Sequence, residues 1–173
     1  MADLASVYDA EAQLAPEWGE WADLRRCYTQ IDTLFDETLA AVPVAGDFTT
    51  GESVPPRPAA GRYTPDMLEW VEHGAFALFP TREALEDNAV TADQLVCYLT
   101  EYLVRNAGGL MVNVPANGTP VYDGIGPSVC YGYTSEVDNP VDMLLLMIEH
   151  GEGFTDDIAD RIDDHCDSGA QPR

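Results

Sequence analysis

The carboxylates of the C-terminal segment are the residues whose type and spacing most directly suggest a chemistry. Asp156, Asp160, Asp163 and Asp167 recur at steps of three and four, with Asp157 and Asp164 beside them and Arg161 as the one base in their midst. At 3.6 residues per turn this lays them along one side of a helix, opposite an apolar face of Phe154, Ile158 and Ile162. Like charges at this spacing repel by roughly 0.2–0.5 kcal/mol per pair, so a stripe kept this pure points to a use. The use expected is attraction of a basic protein surface, with metal cations as the other class of positive ligand. Asp156, Asp160, Asp163, Asp164 and Asp167 are therefore candidate partner-binding residues. Tyr131 and Tyr133 join them, because tyrosine is enriched at protein interfaces. The same tyrosines, with Tyr98, Tyr102 and Tyr122, also fit a core whose hydroxyls reach its rim.

Catalytic patterns are missing from the local sequence. There is no Gly-x-Ser-x-Gly, His-Glu-x-x-His, dinucleotide fingerprint or calcium-binding loop. Asp123, Asp138 and His150 are available to a hydrolytic site assembled from distant residues. Two Glu-His-Gly triplets, at 72–74 and 149–151, offer His73 and His150 as a pair. Histidine followed by glycine at a helix end is expected to cap instead: imidazolium complements the negative terminus and glycine adopts the left-handed conformation. The loop Asp123-Gly124-Ile125-Gly126-Pro127-Ser128 lacks the lysine and the strand–loop–helix setting of a phosphate cradle, and is expected to be a wide turn. Cys27, Cys97, Cys130 and Cys166 are scattered without metal-ligand spacing, so they are expected to be reduced, mostly buried, and to bind no metal. No catalytic residue, metal ligand or cofactor is assigned.

Charge narrows the partners. Thirty-one acidic residues face eight basic ones, all arginine, for a formal net charge of −23. A GC-rich genome or a salt-adapted cytoplasm gives such a composition without any partner. As a functional field, it excludes direct binding to nucleic acid or an anionic membrane face, both of which are polyanions. The N-terminal residues lack the basic and apolar regions of a signal peptide, and no apolar run approaches a membrane span, so a cytoplasmic location is expected.

The elements that must position these residues follow from periodicity and punctuation. A short helix is expected over 3–14 and a long one over 17–42, with Trp18, Trp21, Leu24, Tyr28, Ile31, Phe35 and Leu39 on one face. Residues 43–63, rich in proline and glycine, read as a flexible linker or an ordered arm. Thr64-Pro65 starts a helix ending at Gly74, Ala75–Phe79 reads as a buried strand, and Thr81 caps a short helix to Asn88. Thr91 with Gln94 suggests a capping box for a helix running to Asn106. Three strands are expected, at 110–114, 121–122 and 129–134, before a helix led in by Asn139-Pro140 and the acidic last helix. Beyond Ala170 the chain is expected to be disordered.

The expected fold class is α+β: several helices on a small, mainly antiparallel sheet. One compact domain is expected, divided into an N-terminal helical segment at 1–42, the linker or arm at 43–63, and an α+β core with the acidic C-terminal helix at 64–169. The function expected is that of an acidic, non-enzymatic partner-binding protein, an inhibitor or immunity-type protein that masks a basic protein surface, by nucleic-acid mimicry among other means. The alternative is a metal-assisted hydrolase or small-ligand-binding protein using the acidic C-terminal region.

Overall fold

In the computed structural model, which describes residues 9–44 and 54–169, the N-terminal aromatic stripe is carried by two helices rather than one. Helix α1 (Pro16–Trp21) stops at Ala22, and α2 (Leu24–Thr33) restarts at Asp23, whose carboxylate accepts the Arg26 N–H at 3.0 Å. That new cap re-phases the helix. Trp18, Trp21, Ile31, Phe35 and Leu39 remain in the core, but Leu24 is 58% exposed, and Cys27 and Leu34 take core positions. A wide π-type turn, Leu34–Thr38, and a tight 3₁₀ turn, Leu39–Ala41, end the segment. The expected helix over 3–14 is described from residue 9 and holds a single 3₁₀ turn, Ala12–Leu14.

Helix α3 (Pro65–Leu78) corrects two expectations. It runs through Gly74, so Ala75–Phe79 is not a strand, and exposed His73 lies inside the helix rather than at its end. Gly74 is there for closeness: a Cβ would come within 2.3 Å of the Leu39 side chain. Helix α4 (Arg82–Asp87) is capped by Thr81 as expected. Helix α5 (Ala89–Asn106) begins before Thr91, so the Thr91–Gln94 capping box does not form. Gln94 instead points inward, where its side-chain oxygen accepts the Thr38 hydroxyl at 2.7 Å.

The sheet has three antiparallel strands in the order β1 (Leu110–Asn113), β2 (Pro127–Cys130) and β3 (Val137–Asp138). Residues 121–122 are not a strand, and the third run ends at Cys130 rather than Thr134. Buried Asn113 ties this region together. Its backbone pairs with the Gln13 side chain, its amide donates to Ala12, and its side-chain oxygen accepts the Gly126 N–H. Gly126 sits so close to Val114 that a Cβ would meet the carbonyl oxygen at 1.8 Å. The glycine loop is thus a packed turn, and its Gly126 N–H is already used within the protein.

Helix α5 is the central element, packed against α2 on one side and the sheet on another. Tyr98, Tyr102, Leu95, Leu99 and Leu103 are fully buried on it. Residues 54–63 lie against the molecule: Val54 is 1% exposed, Pro55 accepts the Trp70 indole N–H, and the Arg62 carbonyl accepts the Tyr98 hydroxyl. The earlier part of the expected linker, 45–53, and the expected disordered tail from Ala170 lie outside the described residues. Helix α6 (Pro140–His150) and α7 (Phe154–Asp167) complete an α+β fold with, among the described residues, seven α-helices and a small antiparallel sheet.

Candidate functional site

Strand β3, the start of α6 and the outer side of α7 enclose a groove of about 570 Å³. Asn139 sets one wall by capping α6: its side-chain oxygen accepts the Val141 N–H at 3.0 Å. Helix α7 is placed by its apolar face, with Phe154 and Ile158 buried, and by Glu72 of α3, whose carboxylate accepts the Thr155 N–H at 2.7 Å. That carboxylate occupies the positive end of the helix dipole, so α3 anchors the start of the acidic helix.

Seven carboxylates line the groove, from Glu136, Asp138, Asp142, Asp157, Asp160, Asp163 and Asp164, against the single guanidinium of Arg161. Arg161 is spoken for. It holds Asp138 through two bonds of 3.0 and 3.2 Å, meets Glu136 at 2.6 Å and Asp164 at 3.4 Å, and covers the Tyr131 ring at 5.2 Å. Burial works against its charge, but the bonds from Asp138 and Glu136 win and hold the guanidinium more strongly protonated than usual. Tyr131 donates to Asp138 at 2.5 Å. Burial, then the Asp138 charge, push its phenol far up.

Four carboxylates of the lining are left over. Asp142, Asp157, Asp160 and Asp163 have no basic partner among the described residues. Asp157 shows the consequence: partial burial, then the charges of Asp138, Asp160, Glu152 and Asp156, raise its pKa above the ordinary 3.8. Half-exposed Leu146 and buried Met143 give the groove an apolar strip beside these charges. A carboxylate ring beside methylene-sized apolar surface suits the head and stem of an arginine or lysine side chain.

No protein-family model matches this chain, and no curated protein or solved structure is detectably similar to it. Its function must be argued from the site itself.

The residues singled out from sequence divide in two. Asp160, Asp163 and Asp164 line the groove; exposed Asp156 and Asp167 are on α7 but not part of its lining. Tyr131 is 1% exposed and lies beneath Arg161. Tyr133 is half-buried, donating to the carbonyls of Ala107 and Arg161, with its phenol pushed up to about 12 by burial and the Asp138 charge against the pull of Arg161. Both tyrosines support the groove from below and present little surface to a partner. Asp138 and His150 stand before and at the end of α6, roughly 15 Å of helix apart, so they do not converge. His150 precedes Gly151, which takes φ 69° as the helix cap, as expected. Among the described residues no group of three or more His, Cys, Asp or Glu is arranged to hold a metal ion, and no helix is long and apolar enough to cross a membrane.

Sequence reading missed Glu136, Asp142 and Asp157 as lining residues. The signal available was the helix start at Asn139-Pro140, which places Asp142 in a first turn facing whatever packs beside it. It also missed a second polar cluster under α2. There Asp93, 7% exposed, accepts the Trp21 indole at 2.8 Å, the Tyr122 hydroxyl at 2.7 Å and Arg26 at 2.5 Å. Arg26 thus serves Asp93, while Arg62 pairs with Asp32.

Proposed function

We propose that this is a non-enzymatic acidic binding protein whose groove between β3, α6 and α7 receives basic side chains of a protein partner, masking that surface as inhibitor and immunity-type proteins do. The groove's four carboxylates without a basic partner carry this reading. Charges left this way cost stability through mutual repulsion, and an incoming guanidinium or ammonium would relieve that repulsion while gaining charge-assisted hydrogen bonds. Nucleic-acid mimicry is one form it takes, because a row of carboxylates presents anions to a site built for phosphates.

The test compares two triple variants that remove equal charge. Asp157→Asn, Asp160→Asn and Asp163→Asn empty the groove of three carboxylates; Glu20→Gln, Glu37→Gln and Glu69→Gln remove three exposed ones elsewhere. Titration with a nine-residue arginine peptide at low salt should show the groove variant about tenfold or more weaker than the control variant. Equal weakening of both would reduce the binding to diffuse attraction and defeat the proposal.

A further inference from the structure

Where residues 54–63 cross α2 and α3, two of the chain's own arginines lie on aromatic rings, and none of the residues holding them lines the acidic groove. Phe35 of the π-type turn and Trp70 of α3 are nearly parallel, their ring centroids 6.1 Å apart at 21°. The Arg57 guanidinium stands over both, 5.0 Å from the Phe35 centroid and 5.8 Å from that of Trp70. Arg62 stands 5.1 Å from Phe35. Asp32 and Asp36, four positions apart, supply the opposite charge. Arg62 pairs with Asp32 and lies 3.7 Å from Asp36, which Arg57 approaches at 4.0 Å. Ring faces beside carboxylates suit a flat guanidinium better than a compact ammonium. Turns of the π type recur at functional sites, and this one sends Phe35 inward and leaves Asp36 exposed.

We propose that Phe35, Trp70, Asp32 and Asp36 form a second arginine-binding site, filled in the free protein by Arg57 and Arg62 and yielded to an arginine-bearing segment of a protein partner. The two internal guanidiniums are direct evidence of what the site accepts. Their exchange leaves the backbone that carries them in place, because that backbone is fixed separately. Val54 is buried, Pro55 accepts the Trp70 indole N–H at 2.7 Å, and the Arg62 carbonyl accepts the Tyr98 hydroxyl at 2.8 Å. The charged heads, in contrast, meet at the surface: the Asp32 and Asp36 side chains are 61% exposed and that of Arg57 is 42% exposed. Ion pairs this open to water contribute little, so water does not hold them closed. A guanidinium that swings out bares ring surface, and a second guanidinium arriving from a partner covers it again. Arg57 and Arg62 thus act as internal competitors that raise the threshold for a partner. The site stands whether or not the groove between β3, α6 and α7 binds anything.

The experiment uses the full chain carrying Asp157→Asn, Asp160→Asn and Asp163→Asn, which silences the groove, titrated with a nine-residue arginine peptide at low salt. Followed by NMR, the Arg57 and Arg62 Nε–H signals should move toward those of free arginine as peptide is added. Adding Arg57→Gln and Arg62→Gln should tighten peptide binding about tenfold over the same chain with Arg25→Gln and Arg82→Gln, the factor expected of a site about nine-tenths filled from within. The second pair removes equal charge at exposed positions elsewhere. Asp32→Asn with Asp36→Asn should abolish the gain, and a nine-residue lysine peptide should gain less than the arginine peptide. Arg57 and Arg62 signals that stay in place throughout the titration, equal gains from the two arginine pairs, or a gain that survives the loss of Asp32 and Asp36 would each overturn the site.

Discussion

Asp93 gathers three polar partners in the interior, and nothing local in the sequence marks it. Its partners Trp21 and Arg26 stand 72 and 67 positions away, so the cluster exists only after α2 and α5 dock. Periodicity reports which face of a helix is buried, not that a carboxylate is buried with it. Replacing Asp93 with asparagine keeps the size but removes the charge that Arg26 faces. Breaking a buried ion pair costs about 3–5 kcal/mol, but the Arg26 side chain is 32% exposed, so solvent should cut this to about 1–3 kcal/mol. Tyr122→Phe deletes one hydroxyl donor and should cost about 1 kcal/mol. Urea denaturation of both variants checks the ranking; an Asp93→Asn chain as stable as the parent would show the carboxylate to be replaceable. Asp157 gives the opposite pH behaviour from a paired carboxylate. Its folded pKa is raised, so the folded state holds the proton more tightly than the unfolded chain, and the residue costs stability as pH rises through and above 3.8. Asp157→Asn should therefore gain on the parent as pH climbs from about 3.5 to about 6, and match it in stronger acid.

Elements whose ends carry explicit chemistry were legible: Thr81, Asn139-Pro140 and His150-Gly151 mark α4 and the two ends of α6 where expected. Elements whose limits depend on tertiary contact were not. Gly74 looks like a helix stop, and the short apolar run after it fits a buried strand or a buried helix equally well by pattern. What decides is Leu39, which leaves no room for a Cβ on α3 at that position. The same contact yields a prediction. Alanine inside a helix is favoured over glycine by about 0.5–1 kcal/mol, while overpacking a fixed core costs about 1–3 kcal/mol. Leu39 is 2% exposed and cannot swing into solvent, so overpacking wins and Gly74→Ala should destabilise. In a Leu39→Ala background the added methyl group fills space instead, and Gly74→Ala should turn neutral or stabilising. A double-mutant cycle measures that coupling; additive effects would mean that α3 and the Leu39 turn shift apart freely.

At the scale of the whole molecule, the acidity has two origins that salt can separate. A formal charge of −23 repels itself everywhere, whatever the host's composition or habitat. The groove adds a local repulsion: after partial burial, the charges of Asp138 and Asp160 in its lining, with Glu152 and Asp156 outside it, raise the pKa of Asp157. The stripe on α7 was legible from spacing alone, but the groove was not, because its other wall comes from β3 and α6, and Arg161 neutralises part of the lining from within. At about 0.01 M salt the Debye length of about 30 Å spans most of a molecule this size, so removing any three carboxylates should stabilise it similarly. At about 0.15 M the length falls to about 8 Å, and only near neighbours still repel. The triple variant at Asp157, Asp160 and Asp163 should then keep a measurable gain over the parent, while the variant at Glu20, Glu37 and Glu69 should lose its own. At about 1 M both gains should vanish. Thermal or urea unfolding across this series needs no partner and reads the groove directly. Should the two variants track each other at every salt concentration, the carboxylates of α7 would be no more crowded than those elsewhere, and the groove would have no stored repulsion for a cationic partner to relieve.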